Sequence, residues 1–131
     1  MFLINILKQA DDRVSILSEQ LVSKLLDFPF NVPEDRLEIY YYLLKSLAFR
    51  VDTDPDAIDS YVRPHLNAVL AFVRTNLRQS ARCLKFGLKT MTLLFGDYGV
   101  EVPPVLVAEI ETTSEYLMAE YISFLNTSSN F

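Results

Sequence analysis

The chain has 131 residues, of which 50% are hydrophobic and 22% are charged, and its formal net charge is −5. A chain of this size is expected to form one compact domain that buries roughly two thirds of its unfolded surface. It has only three glycines, one cysteine and one histidine. These counts exclude a disulfide framework, a multi-cysteine zinc site and most all-β folds. The acidic balance argues against general nucleic-acid binding.

The apolar start of the chain lacks the features of an export signal. Residues Met1–Lys8 have no cationic leading region, and Asn5 and Lys8 interrupt the apolar run. No apolar run in the sequence approaches the ~20 residues that a bilayer-spanning helix needs. We therefore expect an intracellular protein, cytoplasmic rather than nuclear, with no transmembrane segment.

Apolar spacing predicts helices throughout the first third of the chain. A short helix is expected over Met1–Gln9, and apolar residues three and four apart predict a second helix over about 12–27. Two prolines in the segment 28–33 end that helix, because each proline removes a backbone donor and fixes φ. Pro33, followed by two acidic residues, is typical of a first helical turn, and the helix it opens is predicted to run to about Arg50.

The rest of the chain also reads as helical. Asp54 as a cap and Pro55 at the first helical position predict a short helix that Pro64 interrupts. Longer helices are expected over 66–77 and 81–95.

The end of the chain completes an all-α prediction. Gly96 is predicted to be a left-handed C-terminal cap, and Pro103–Pro104 to open a last helix through Leu125. No strand pattern competes with the helical one. We predict a single α-helical domain over 1–125, followed by a polar tail over 126–131.

Two polar corners indicate the kind of all-α fold. In Leu7–Val14 and in Val73–Leu84, a helix ends, a polar turn containing arginine follows, and an amphipathic helix begins. This resembles the corner of armadillo and HEAT repeats, and the short helix near 55–62 before a longer pair is similar to the three-helix armadillo unit. The segments Phe2–Gln9 and Glu38–Leu47 are also similar to the armadillo-like FPL domain of membrane-trafficking and autophagy regulators.

The resemblance implies a short α-solenoid-like stack of six or seven helices. The two corners are farther apart in sequence than a single repeat, so an irregular helical bundle is the alternative.

Charge is strongly segregated along the chain. From Ser60 to Gly96 there is no acidic residue, whereas from Asp97 to Phe131 there is no lysine or arginine. The six basic residues of the first stretch are Arg63, Arg74, Arg78, Arg82, Lys85 and Lys89. Three interpretations compete: the basic and acidic helices pair internally, the basic face binds an acidic partner, or it binds the phosphates of RNA or anionic lipid. The acidic flanks and the absence of an RNA-binding motif disfavour the last.

The function predicted from these features is non-enzymatic. We expect a protein-interaction module or scaffold subunit that presents a basic face near 74–89 to an acidic protein partner. Tyr41 or Tyr42 is expected to serve as an aromatic anchor on another face, because three consecutive tyrosines point in different directions around a helix. The predicted contact residues are Arg74, Arg78, Arg82, Lys85, Lys89, Tyr41 and Tyr42. Reversal of Arg78 and Arg82 to glutamate is expected to weaken binding and to leave the melting behaviour nearly unchanged.

Other functions find less support in the sequence. The alternative is a compact helical-bundle adaptor or inhibitory regulator, Bcl-2-like or death-fold-like, that binds a partner helix. The terminal helices could also form a homo-oligomer. Cys83 is interpreted as a buried structural thiol and His65 as a surface or capping residue, because neither has a partner at catalytic or ligand spacing. No metal, cofactor or catalytic residue is predicted.

Overall fold

The computed structural model describes residues 4–6 and 18–128, and all regular secondary structure in these ranges is helical. The all-α prediction is therefore confirmed. Seven α-helices lie in the described part of the chain: α1 (Glu19–Leu26), α2 (Pro33–Leu47), α3 (Arg50–Thr53), α4 (Pro55–Tyr61), α5 (Arg63–Asn76), α6 (Ala81–Thr92) and α7 (Leu106–Ser128). Residues Ile4–Ile6 are helical as well, and the remainder of the two predicted helices before residue 18 lies outside the described residues.

The helices begin where capping chemistry favours a start. Ser18 precedes α1, and its hydroxyl accepts a hydrogen bond from the Leu21 amide at 3.1 Å. Ser80 caps α6 in the same way through the Cys83 amide, also at 3.1 Å. Pro33 and Pro55 open α2 and α4, as predicted. Asp54 occupies the cap position of α4 but makes no side-chain capping bond.

The end of α6 differs from the prediction. The helix widens into a π-helical turn over Leu93–Asp97, and Gly96 lies inside that turn. The left-handed residue is Gly99, with φ of 66°. There the Val100 amide donates to the Leu94 carbonyl at 2.8 Å and closes the turn. The chain reverses three residues later than predicted because the wider turn continues the helix past Gly96.

The last helix extends beyond its predicted end. α7 continues to Ser128, so the predicted polar tail over 126–131 begins inside a helix. Leu106, Thr113 and Leu117 are buried on its inner side. None of the described helices combines the length and the apolar character needed to cross a membrane.

Helix α2 is the central helix of the core. Its side chains are buried on more than one side, which is expected of a helix surrounded by others. Those at or below 2% exposure are Leu37, Ile39, Tyr40, Leu43, Leu44 and Leu47. Its most extensive contact is with α6. The two helices run in the same direction, because Arg82 contacts Asp35 and Phe86 contacts Tyr41 farther along both.

Gly87 sets the distance between α5 and α6. A methyl group added at its α-carbon would lie 2.7 Å from Leu77 Cδ1 and 3.3 Å from Val73 Cγ1. Both neighbours are buried, at 2% and 0% exposure, and have little freedom to move aside.

We expect Gly87→Val to lower the free energy of unfolding by about 2 kcal/mol, because the added carbons overpack this contact. Gly96→Val is the matched control, since nothing lies within 4 Å of the position its β-carbon would take. The control is expected to stay within about 0.5 kcal/mol of the parent in urea denaturation. Equal effects of the two substitutions would contradict close packing at Gly87.

Candidate interaction surface

Two of the predicted contact residues are bonded to the last helix. The Arg74 guanidinium forms two hydrogen bonds with the Glu109 carboxylate, at 3.0 and 2.7 Å. This bidentate bond raises the pKa of Arg74 and lowers that of Glu109. Arg78 donates from Nε to the Thr113 hydroxyl at 3.2 Å, and its guanidinium lies 5.9 Å from the centre of the Tyr116 ring. Internal pairing of the basic and acidic helices is confirmed for Arg74.

The third arginine, Arg82, joins α6 to α2. Its Nη2 atom donates to Asp35 Oδ1 at 2.9 Å and to Glu38 Oε2, and its Nε atom donates to the same Glu38 oxygen at 3.2 Å. The Glu38 side chain is only 5% exposed, whereas that of Arg82 is 43% exposed. The hydrogen bond that Arg82 donates to Glu38 raises the pKa of Arg82. The acidic partner of this arginine is therefore α2 and not the acidic last helix.

The two lysines of α6 lie over aromatic rings. Lys89 Nζ is 5.2 Å from the ring centre of Tyr41 and 5.6 Å from that of Phe86. Lys85 Nζ is 5.5 Å from the ring centre of Phe86. On α2, Lys45 Nζ is 5.9 Å from the Tyr41 ring centre. We name the surface formed by Tyr41, Tyr42, Lys45, Lys85, Phe86 and Lys89 the cation–aromatic surface.

The predicted tyrosine anchor belongs to this same surface. The ring centres of Tyr41 and Tyr42 lie 5.9 and 6.2 Å from that of Phe86, and 5.1 Å from each other. Tyr41 and Tyr42 are half-buried, and Phe86 beneath them is 6% exposed. The prediction that the tyrosines lie on another face is therefore wrong, because the parallel packing of α2 and α6 brings them beside the lysines.

The charges of Lys85 and Lys89 are not neutralised by carboxylates in the part of the chain that the structure describes. Lys85 and Lys89 are exposed, and within the described residues neither has an ion-pair partner. The carboxylates of α2 lie at the opposite end of the helix pair, around Arg82. The helix pair thus separates a neutralised end from a cationic end.

Lys45 and Phe86 are the members of this surface that were not predicted as contact residues. Lys45 follows Tyr41 by four positions, so the helical spacing alone places the two side chains together. Phe86 could be assigned to this surface only from the packing of α6 against α2, because sequence spacing does not show which helices pack together.

The remaining candidate residues, Cys83 and His65, are buried or hydrogen-bonded within the fold. Cys83 is fully buried, and burial raises the pKa of its thiol, which favours the protonated form. His65 lies in the first turn of α5, with Nε2 2.8 Å from the Ser23 hydroxyl of α1. Across residues 4–6 and 18–128, no group of three or more histidine, cysteine or acidic side chains is arranged to hold a metal ion.

Comparison of the chain with family models, curated proteins and solved structures gave no match, so functional assignment depends on the geometry of the chain itself.

Proposed function

We propose that this protein is a non-enzymatic interaction module that binds an acidic segment of a protein partner on the cation–aromatic surface. The observation that carries the proposal is the pair of exposed lysines, Lys85 and Lys89, held over aromatic rings without a carboxylate partner in the described part of the chain. The proposed binding site is therefore smaller than the basic face near 74–89 predicted from sequence, and it lies at one end of the α2–α6 pair.

The aromatic rings make the surface suited to a protein partner. Tyr41 and Tyr42 are half-buried, so each presents part of a ring with limited rotational freedom. Rigid aromatic groups at the centre of a contact supply apolar area at low entropic cost and are common binding hot spots. Lysines at the edge of such a group favour an acidic partner and accelerate its encounter.

We propose that three of the predicted contact residues contribute less to partner binding: Arg74, Arg78 and Arg82. Each already has a hydrogen-bond partner within the fold, and Arg82 satisfies a buried carboxylate. A partner that recruited Arg82 would break its hydrogen bonds to the buried Glu38 carboxylate, which is unfavourable. We assign partner contact first to the lysines and tyrosines.

The fold we propose for this module is a solenoid-like stack rather than an irregular bundle. Its support is the direct, parallel contact between α2 and α6, which the short helices α3 and α4 and the longer α5 separate in sequence. Equivalent helices of successive armadillo or HEAT repeats contact one another in parallel in this manner. An intracellular, cytoplasmic location stays a prediction.

A library of random 12-residue peptides displayed on phage, selected on the intact chain, tests the proposed function. We expect the selected peptides to be rich in aspartate and glutamate. We expect Lys89→Glu to weaken their binding by about tenfold, because it turns an attraction into a repulsion. Lys24→Glu is the control, since Lys24 is exposed on α1 and its reversal changes the net charge equally.

The outcomes separate specific from general attraction. Equal weakening of peptide binding by Lys89→Glu and Lys24→Glu would show that the effect depends only on the net charge of the protein, and it would overturn the proposal. Selection of neutral or basic peptides, or of none, would also overturn it.

A further inference from the structure

Several large apolar side chains are exposed on α7. Twelve such side chains are exposed among the described residues, and four of them lie on α7: Val107, Tyr116, Met118 and Ile122. Val107 and Met118 are each 58% exposed, and Ile122 is 50% exposed. Apolar groups clustered in this way on a surface helix indicate a contact with another molecule.

The three side chains lie along one line of the helix. Val107 and Met118 are eleven positions apart and Met118 and Ile122 are four positions apart, which are close to three turns and one turn. Glu111 and Ser114 occupy the intervening turns of the same line, and Glu115 lies at its edge. We name this line, from Val107 to Ile122, the outer face of α7. The helix packs on the rest of the molecule through a different side, where Leu106, Thr113 and Leu117 are buried.

The negative charge of α7 indicates which kind of partner its outer face would bind. Glu111 and Glu115 are exposed, and from Asp97 to Phe131 the sequence contains no lysine or arginine. Pairing of two copies through this face would bring like charges together, which is unfavourable. A partner with lysine or arginine beside its own apolar line would neutralise both carboxylates.

We propose that the outer face of α7 binds a basic amphipathic helix of a protein partner. A helix of 23 residues is about 34 Å long and offers several turns for side-by-side packing. The apolar line supplies the buried contact, and the two glutamates set the charge and the register of the partner helix. The proposal is independent of the cation–aromatic surface, which lies on α2 and α6.

Two designed 21-residue peptides provide the probes. Both have leucine along one helical face, with lysine and arginine flanking it in the first and glutamate in the second. Fluorescence anisotropy with the intact chain is expected to show binding of the basic peptide and none of the acidic peptide at about 100 µM. Glu111→Lys with Glu115→Lys is expected to weaken that binding by at least about tenfold. Met118→Gln with Ile122→Gln is expected to weaken it by about tenfold.

Matched controls test whether peptide binding depends on this face or only on the acidity of the protein and its exposed apolar groups elsewhere. Asp52→Lys with Asp56→Lys changes the net charge by the same amount at exposed positions of α3 and α4, and Leu21→Gln removes an exposed apolar group from α1. Each control is expected to change binding by less than about twofold.

Three results would overturn the proposal. The first is weakening by the controls equal to that by the α7 variants, and the second is no binding of the basic peptide. The third is a dimer of the parent chain in light scattering that Met118→Gln with Ile122→Gln abolishes, because the face would then bind a second copy.

Discussion

Arg82→Ala is expected to lower the free energy of unfolding by about 2–4 kcal/mol. The substitution removes a cation that is hydrogen-bonded to Glu38, whose side chain is 5% exposed and cannot recover its full hydration in the folded state. The expected loss lies at the lower end of the range for buried pairs because the Arg82 side chain itself is 43% exposed. Urea denaturation followed by circular dichroism measures the difference.

A double-mutant cycle isolates the contribution of this pair. Glu38→Gln removes the buried charge, so Arg82→Ala in that background is expected to cost at least about 1 kcal/mol less than in the parent chain. Lys85→Ala, one turn along the same helix, is the control and is expected to stay within about 0.5 kcal/mol of the parent. If Arg82→Ala and Lys85→Ala unfold at the same urea concentration, Glu38 does not depend on Arg82.

Tyr98→Ala is expected to lower the free energy of unfolding by about 4 kcal/mol. Tyr98 is 2% exposed, and its hydroxyl donates a hydrogen bond to the Leu44 carbonyl in the last turn of α2. Removal of the ring leaves a cavity, and removal of the hydroxyl leaves that carbonyl without the donor. Tyr98→Phe retains the ring and is expected to cost about 1–2 kcal/mol. Tyr61→Phe, at an exposed tyrosine, is the control and is expected to cost less than about 0.5 kcal/mol.

The same residue makes stability depend on alkaline pH. Burial, with a smaller contribution from the charge of Asp97, raises the pKa of Tyr98 above that of a tyrosine in the unfolded chain. A group with a raised pKa in the folded state stabilises fully below its unfolded value of about 10, and this contribution falls as the pH rises further. The difference in stability between the parent and Tyr98→Phe is therefore expected to shrink above pH about 10, by up to about 1.4 kcal/mol per pH unit. A constant difference between pH 8 and 11 would contradict burial of the phenol.

Local sequence chemistry was sufficient to predict the starts of α2 and α4. Pro33 and Pro55 act within a single turn, and each lies in the first turn of its helix. Helix ends were less predictable. The chain passes Gly96 within a π-helical turn and reverses at Gly99, because backbone hydrogen bonds to the carbonyls of Leu93 and Leu94 close the turn. No residue type in the sequence predicts these backbone bonds.

The partners of the predicted contact residues depended on tertiary packing. Periodicity placed Arg74 and Arg82 on helical faces, but it did not show that Arg74 faces Glu109 whereas Arg82 faces α2. The expectation that reversal of Arg82 leaves stability unchanged follows from treating it as a surface residue, and the buried Glu38 predicts the opposite. The cation–aromatic surface likewise required knowledge that Tyr41 meets Phe86 across two helices.

The parallel contact of α2 and α6 has a consequence for how the chain folds. The bonds that secure α2, from Arg82 to Asp35 and from Tyr98 to the Leu44 carbonyl, join residues 47 and 54 positions apart. Closing such long loops is entropically costly and slows folding relative to helices that contact only their sequence neighbours. During synthesis the side of α2 that packs on α6 therefore stays uncovered until α6 has left the ribosome, and an uncovered apolar side of this kind favours aggregation.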